Sequence, residues 1–126
     1  ETHSLMTRNF GGTGGRPKSS PVPPGLHWDE WLGPVAFRDY HPGLHTFGWR
    51  SWVQFGTGTL GDMGCHILDG TFWALKLGEA KSFTIECVAQ QPGSAEMFAR
   101  ENHIRWQFGP RAGMPAVTVN SYDNTC

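Results

Sequence analysis

Three segments in the second half of the chain alternate apolar and polar residues with a period of two: 81–89, 102–108 and 116–122. One side carries the apolar set, which is Phe83, Ile85, Cys87, Ala89, Ile104, Trp106, Phe108, Val117 and Val119. The other side is polar and includes Arg105, Gln107, Thr118 and Asn120. This alternation predicts antiparallel strands with one packed and one polar face. The unpaired edge of so small a sheet favours association, so we expect a homo-oligomer formed through the sheet.

The stretch before these strands, residues 58–77, is the longest helical candidate, and Gly78 is a natural stop. Apolar residues fall on several of its faces, which predicts a helix buried all round. Gly61 and Gly64 each cost about 1 kcal/mol against Ala, so we expect a backbone or a ligand close to the first turns. A helix followed by strands is typical of an α+β fold. We therefore predict an antiparallel open sheet packed on one long buried helix.

The amino-terminal region reads as a short strand within residues 1–10 and an irregular Gly/Pro/Ser loop over 11–25. The glycines at 11–15 do not match a dinucleotide fingerprint, because more loop follows them instead of a helix. A short helix is predicted next, since one turn buries Trp28, Trp31 and Leu32, and Gly33-Pro34 ends it. Residues 35–56 are dense in polar and aromatic side chains without a period, which favours a site lining over a core.

Composition narrows the classes of function. The 126 residues carry 10 Lys and Arg against 11 Asp and Glu, a net charge of −1, which favours neither nucleic acid nor an anionic membrane as a partner. No apolar run approaches the roughly 20 residues that cross a bilayer, so a soluble protein is expected. Cys65, Cys87 and Cys126 are an odd, widely spaced set. They indicate reduced thiols in a cytoplasmic protein, with neither a disulfide framework nor a zinc knuckle.

Aromatic residues are unusually frequent, with six Trp and eight Phe beside 17 Gly. Flat rings stack on the apolar faces of pyranoses, so this composition is compatible with a sugar site. The alternative is that Trp only supplies core area, since each ring buries about 150–250 Å².

Asp62, His66, Asp69 and Trp73 recur at i, i+4, i+7 and i+11 and share one stripe of the predicted helix. His66 is suited to take a hydroxyl proton near neutral pH, and a carboxylate beside it can bind a neighbouring hydroxyl. The structural alternative is that Asp62 caps the helix and His66 is a hydrogen-bonded core residue. Spacing alone leaves both open.

Three runs of sequence carry a resemblance to a known family: Trp28 to Pro34 (WDEWLGP), Trp49 to Trp52 (WRSW), and Phe55 to Asp69 (FGTGTLGDMGCHILD). Together they resemble the Gfo/Idh/MocA oxidoreductases, and specifically the carboxyl-terminal, sheet-forming and substrate-binding domain. The resemblance covers nearly all of residues 1–122.

The resemblance implies roles for particular residues. His66 corresponds to the acid/base at the oxidised carbon, and Asp62 to a partner of a substrate hydroxyl. Trp49, Arg50 and Trp52 match a pattern near the sugar pocket, and we place Tyr40 and Asp69 there as further substrate-binding candidates. The expected ligand is a small sugar or glycoside, and the expected pocket has Trp49, Trp52 and Tyr40 as walls and Arg50 at its rim.

Parts of the family pattern are missing from the sequence. It has no dinucleotide-binding unit and no Glu-Lys-Pro segment with the family's lysine. We therefore expect residues 1–126 to be a single, partial domain that lacks the amino-terminal Rossmann domain. The chain itself is expected to bind no cofactor, and NAD(P) would require the missing domain.

Two other functions remain open at this point. A stand-alone glycoside hydrolase would use the carboxylates of Asp62 and Asp69 with His66, since these carboxylates lie about 10.5 Å apart along the helix axis. A metal-binding or oligomerisation module without catalysis would bring His41, His45, His66 and Asp62 together.

Overall fold

The computed structural model describes residues 1–123 and confirms an α+β fold. Two helices and four strands follow one another as β1 Thr2–Met6, α1 Trp28–Leu32, α2 Gly58–Ala74, β2 Phe83–Gln91, β3 Glu101–Phe108 and β4 Val117–Asp123. Two 3-10 helices, Gly48–Ser51 and Leu77–Glu79, flank α2. The predicted short strand, short helix, long helix and three later strands are therefore all present.

The four strands form one open sheet in the order β1-β4-β3-β2. The three later strands pair antiparallel, as predicted. The sheet is nevertheless mixed, because β1 pairs parallel with β4 and places Thr2 opposite Val119. Parallel strands cannot be joined by a tight hairpin, and here α1, α2, β2 and β3 all lie between β1 and β4 along the chain.

A β-bulge in β2 changes which residues share a face. Cys87 lies opposite Ile104, but the register shifts after it and Ala89 lies opposite His103. A bulge inserts one extra residue into a strand, so every later side chain changes face. The prediction that Ala89 shares the apolar face with Cys87 is therefore wrong.

Helix α2 ends earlier than the predicted stop at Gly78. Its last residue is Ala74, and Lys76 adopts the left-handed conformation with φ 49°. Gly78 instead lies within the second 3-10 helix. The left-handed residue that commonly ends a helix is thus a lysine here, in a position where glycine is usual.

The prediction that α2 is buried all round is also wrong. Only Gly58, Thr59 and Gly64 are buried, whereas Phe72 is 50% and Trp73 85% exposed. On the stripe that begins with Asp62, the later residues His66, Asp69 and Trp73 are exposed, whereas Asp62 is partly buried. Apolar residues occur on several faces of α2, but most of these residues are not buried.

Two apolar clusters hold the fold together. The first lies around α1 and contains Trp28, Leu32, Tyr40, Leu44 and Trp52. The second lies between the sheet and the carboxyl end of α2, where Leu77, Phe108 and Val119 are buried and Leu68, Leu75 and Trp106 pack against them. The first cluster anchors the segment that precedes α2, and so it positions the residues described next.

The entry into α2 depends on one glycine. Gly58 has φ +65°, and a Cβ placed there would lie 2.8 Å from the ring of Phe98. At Gly61 a Cβ would meet the side chain of Thr57, and at Gly64 only ordinary contacts with Leu60 and Leu68. The close approach expected at the first turns therefore comes from side chains of the chain itself.

No helix within residues 1–123 is both long and apolar enough to cross a membrane.

Candidate functional site

The exposed stripe of α2 carries the predicted polar pair. Asp62 and His66 lie one helical turn apart, about 6 Å along the axis. His66 and Asp69 are exposed, and the side chain of Asp62 keeps 24% of its surface accessible. The alternative in which His66 is a core residue is therefore wrong.

Arg50 fixes the side chain of Asp62. Its Nε donates to Oδ1 of Asp62 at 3.0 Å, and both side chains are 24% exposed. Arg50 reaches this position from the 3-10 helix Gly48–Ser51, and it also donates to the carbonyl oxygen of Phe47 at 3.2 Å. Among residues 1–123 no hydrogen bond reaches the second carboxylate oxygen of Asp62, Oδ2, so it can accept one from another group.

Aromatic rings surround the guanidinium of Arg50. Its central carbon lies 4.4 Å from the ring centroid of Trp49 and 4.5 Å from that of Phe47. Phe10 contributes a third ring at 5.8 Å. Because a planar guanidinium is held both by stacking and by a directional ion pair, its orientation is well defined.

Tyr40 and Trp52 do not lie beside this pair as pocket walls. Both are buried in the cluster around α1, with 7% and 5% exposure. Tyr40 meets Trp28 edge to face at a centroid distance of 5.2 Å. The segment 35–56 thus contributes to a core as well as to the site, which corrects the interpretation that it mainly lines a site.

Trp49 is the predicted wall residue that lies at the site, and it is half-buried against Arg50. Asp69 shares the helix stripe but lies almost two turns beyond Asp62. The structure therefore brings Asp62, Arg50 and Trp49 into contact, leaves His66 and Asp69 on the exposed face of the same helix, and places Tyr40 and Trp52 elsewhere.

Arg38 and Glu96 form a charged pair that sequence reasoning did not single out. The Arg38 side chain is only 4% exposed, stacks on Trp52 at 4.6 Å and lies 3.8 Å from Glu96. Burial lowers the pKa of Arg38; the nearby Arg16 lowers it further, while Glu96 opposes the shift. Arg16 also contacts Glu96, so this pair ties the loop 11–25 to the core. The only signal in the sequence was the dense polar-aromatic character of 35–56.

Two of the clefts in the described chain lie beside the carboxyl-terminal half of α2, and neither is lined by Asp62 or His66. The most apolar cleft, about 320 Å³, lies between α2 and the sheet, where Phe72, Leu77 and Trp106 are among its lining residues. A second, of about 400 Å³, lies at the end of α2 and is lined by Phe72, Trp73, Lys76, Gly78 and Glu79. Neither of these two clefts is the predicted pocket with Trp49, Trp52 and Tyr40 as walls.

Among residues 1–123, no group of three or more His, Cys, Asp or Glu side chains could hold a metal ion. His41 instead accepts a hydrogen bond from the backbone of Gly43, and His45 lies edge-on to Trp31. The convergence of His41, His45, His66 and Asp62 is therefore not found. Cys65 and Cys87 are free and exposed, and Cys126 lies outside the described residues.

Comparison with known proteins adds one positive finding. No curated protein matches the chain significantly. A family model described as "Oxidoreductase family, C-terminal alpha/beta domain", of the Gfo/Idh/MocA group, matches residues 9–111 of the 126. The matched range contains α1, α2 and the Arg50–Asp62 pair. The chain belongs to the Gfo/Idh/MocA oxidoreductase family and represents its carboxyl-terminal α/β domain.

Proposed function

We propose that this domain binds a sugar at the exposed amino-terminal half of α2 and exchanges a proton with one of its hydroxyls. The observation that carries the proposal is the pairing of an anchored carboxylate, Asp62, with an exposed imidazole, His66, one helical turn away. Membership of an oxidoreductase family supports the further proposal that this hydroxyl belongs to a carbon that is oxidised.

The chain's own part in such an oxidation is the transfer of a proton. As the carbinol becomes a carbonyl, the hydroxyl proton must go to a base, and His66 is the group proposed to accept it. Asp62 keeps one oxygen on Arg50 and offers the other to a neighbouring hydroxyl. Because Arg50 holds Asp62, the hydroxyl is positioned before the proton moves.

NAD(P), the hydride acceptor that the family resemblance implies, does not fit the described residues. A dinucleotide site needs a strand, a glycine-rich turn and a helix in direct succession. Here the glycines at 11–15 lie in irregular loop, and α1 begins only at Trp28. We therefore propose that the nucleotide is bound by a domain other than this one.

No observation favours the hydrolase alternative. It needs the carboxylates of Asp62 and Asp69 to lean together toward a gap of about 6.5–9.5 Å. Arg50 holds Asp62, so this movement would break a 3.0 Å ion pair.

The experiment is saturation-transfer NMR of the purified chain with a panel of monosaccharides and disaccharides: glucose, galactose, maltose, cellobiose and lactose. We expect Asp62→Asn to weaken binding by about tenfold, because a charge-assisted hydrogen bond to the sugar is lost. His66→Ala should also weaken binding. Asp39→Asn and His27→Ala, at exposed positions away from α2, are the matched controls. Binding that is equal in all four variants would refute the site.

Assembly is a separate proposal. β2 is exposed at all nine positions and forms a free edge of the sheet, and Phe83 and Ile85 are 56% and 61% exposed there. An exposed apolar edge without a lysine inside the strand is prone to pair with another strand. We propose that a second copy of the chain covers it.

A further inference from the structure

Trp73 is the most exposed of the large apolar side chains in the described chain, at 85%. Its ring adds almost nothing to either cluster of the core, so packing does not explain its presence. It lies near the carboxyl end of α2, at i+11 from Asp62 and i+7 from His66. At 100° per residue these positions fall within an arc of about 40°, so Trp73 belongs to the same stripe as the proposed site.

The surroundings of Trp73 combine an aromatic ring with hydrogen-bonding groups. The cleft beside it holds about 400 Å³ and is lined by Phe72, Lys76, Gly78 and Glu79 as well. Gly78 lets the ring of Phe72 come close, since a Cβ there would lie 3.2 Å from it. Lys76, which carries an ammonium donor, and Glu79, which carries a carboxylate acceptor, thus line the same cleft as the exposed Trp73.

This combination fits a pyranose better than it fits a purely apolar ligand. The C–H groups on one face of a pyranose can lie on the electron-rich face of an indole, while the hydroxyls around the ring need donors and acceptors. Lys76 and Glu79 provide both kinds of group. An apolar ligand would leave these two charges without any partner from the ligand.

The distance along the helix determines what kind of sugar can use both places. Seven residues separate His66 from Trp73, about 10.5 Å along the axis. A single pyranose ring is too short to stack on Trp73 and also present a hydroxyl to His66. We propose that Trp73, Lys76 and Glu79 form a second subsite that binds the next ring of an oligosaccharide or glycoside. This inference rests on the proposed function and specifies its substrate class.

The test uses the same sugar panel with the variants Trp73→Ala and Trp73→Phe. Phe37→Ala is the matched control, because Phe37 is a large apolar side chain of similar exposure, 73%, outside α2. We expect Trp73→Ala to weaken disaccharide binding about fivefold to tenfold and to leave monosaccharide binding unchanged. Trp73→Phe should retain most of the affinity, since a flat ring remains.

The outcomes separate this inference from the proposed function. If Asp62→Asn and His66→Ala weaken binding but Trp73→Ala binds disaccharides like the wild type, the second subsite is refuted and the first stands. If Trp73→Ala weakens monosaccharides and disaccharides equally, Trp73 does not hold a second ring and the inference is also wrong. If it changes the sedimentation coefficient instead, Trp73 belongs to a protein interface. Failure of the wild-type chain to bind any sugar of the panel overturns both proposals.

Discussion

Replacement of Arg50 by Met tests whether the ion pair and the aromatic rings act together on Asp62. The change removes the 3.0 Å contact between Nε and Oδ1 and the cation above Trp49 and Phe47. Met retains the apolar stem, so most of the packing of the side chain is preserved. The change in the free energy of unfolding therefore reports the loss of the charge and of the planar guanidinium.

The magnitude follows from the exposure of the pair. Both side chains are 24% exposed, so the pair should contribute more than an exposed salt bridge and less than a buried one, about 1–2 kcal/mol. Stacking on two rings adds about 1 kcal/mol. We therefore expect Arg50→Met to lower the free energy of unfolding by about 2–3 kcal/mol. Arg50→Lys keeps the charge but loses the planar stacking, and should cost about 1 kcal/mol.

Urea denaturation followed by Trp fluorescence measures these changes, and Asp62→Asn completes a double-mutant cycle. A coupling free energy of about 1–2 kcal/mol between Arg50 and Asp62 is expected. Arg100→Met is the control, because Arg100 is exposed and forms no side-chain ion pair among the described residues; its effect should stay within about 0.5 kcal/mol. Strict additivity of Arg50→Met and Asp62→Asn would refute the reasoning.

Two further predictions concern stability and assembly. Burial raises the pKa of Asp123 above its ordinary value of 3.8, while the hydrogen bond from Asn102 opposes the shift. The folded state then binds more protons than the unfolded state, so the free energy of unfolding should fall as the pH rises from about 3.8 through the raised pKa. Urea titrations at several pH values should show this fall for the wild type and a flatter profile for Asp123→Asn; identical profiles would contradict it. At the sheet edge, Ile85→Lys should convert a sedimenting dimer or larger assembly into monomer, while Val53→Lys, at a 51% exposed position away from β2, should not. A wild-type chain that sediments as a monomer at micromolar concentration would refute the assembly.

Local patterns in the sequence determined most of the secondary structure. Alternation with a period of two located β2, β3 and β4 to within two residues at each end. The helical stripe placed Asp62 and His66 on one side of α2 because both features depend on residues only a few positions apart. The family resemblance also rested on short, contiguous runs, and the family model matches the range that contains them.

The tertiary structure alone decided burial, pairing and the partner of Asp62. Nothing local distinguishes Trp52, which packs in the core, from Trp49, which lies against Arg50 three residues earlier. The parallel pairing of β1 with β4 joins Thr2 to Val119, and the Arg50–Asp62 pair joins a 3-10 helix to α2. These contacts depend on how distant segments pack, and a pattern that repeats every two or four residues carries no information about which segment will be the neighbour. For the same reason, the apolar residues of α2 could indicate a helix but not which of its faces the sheet would cover.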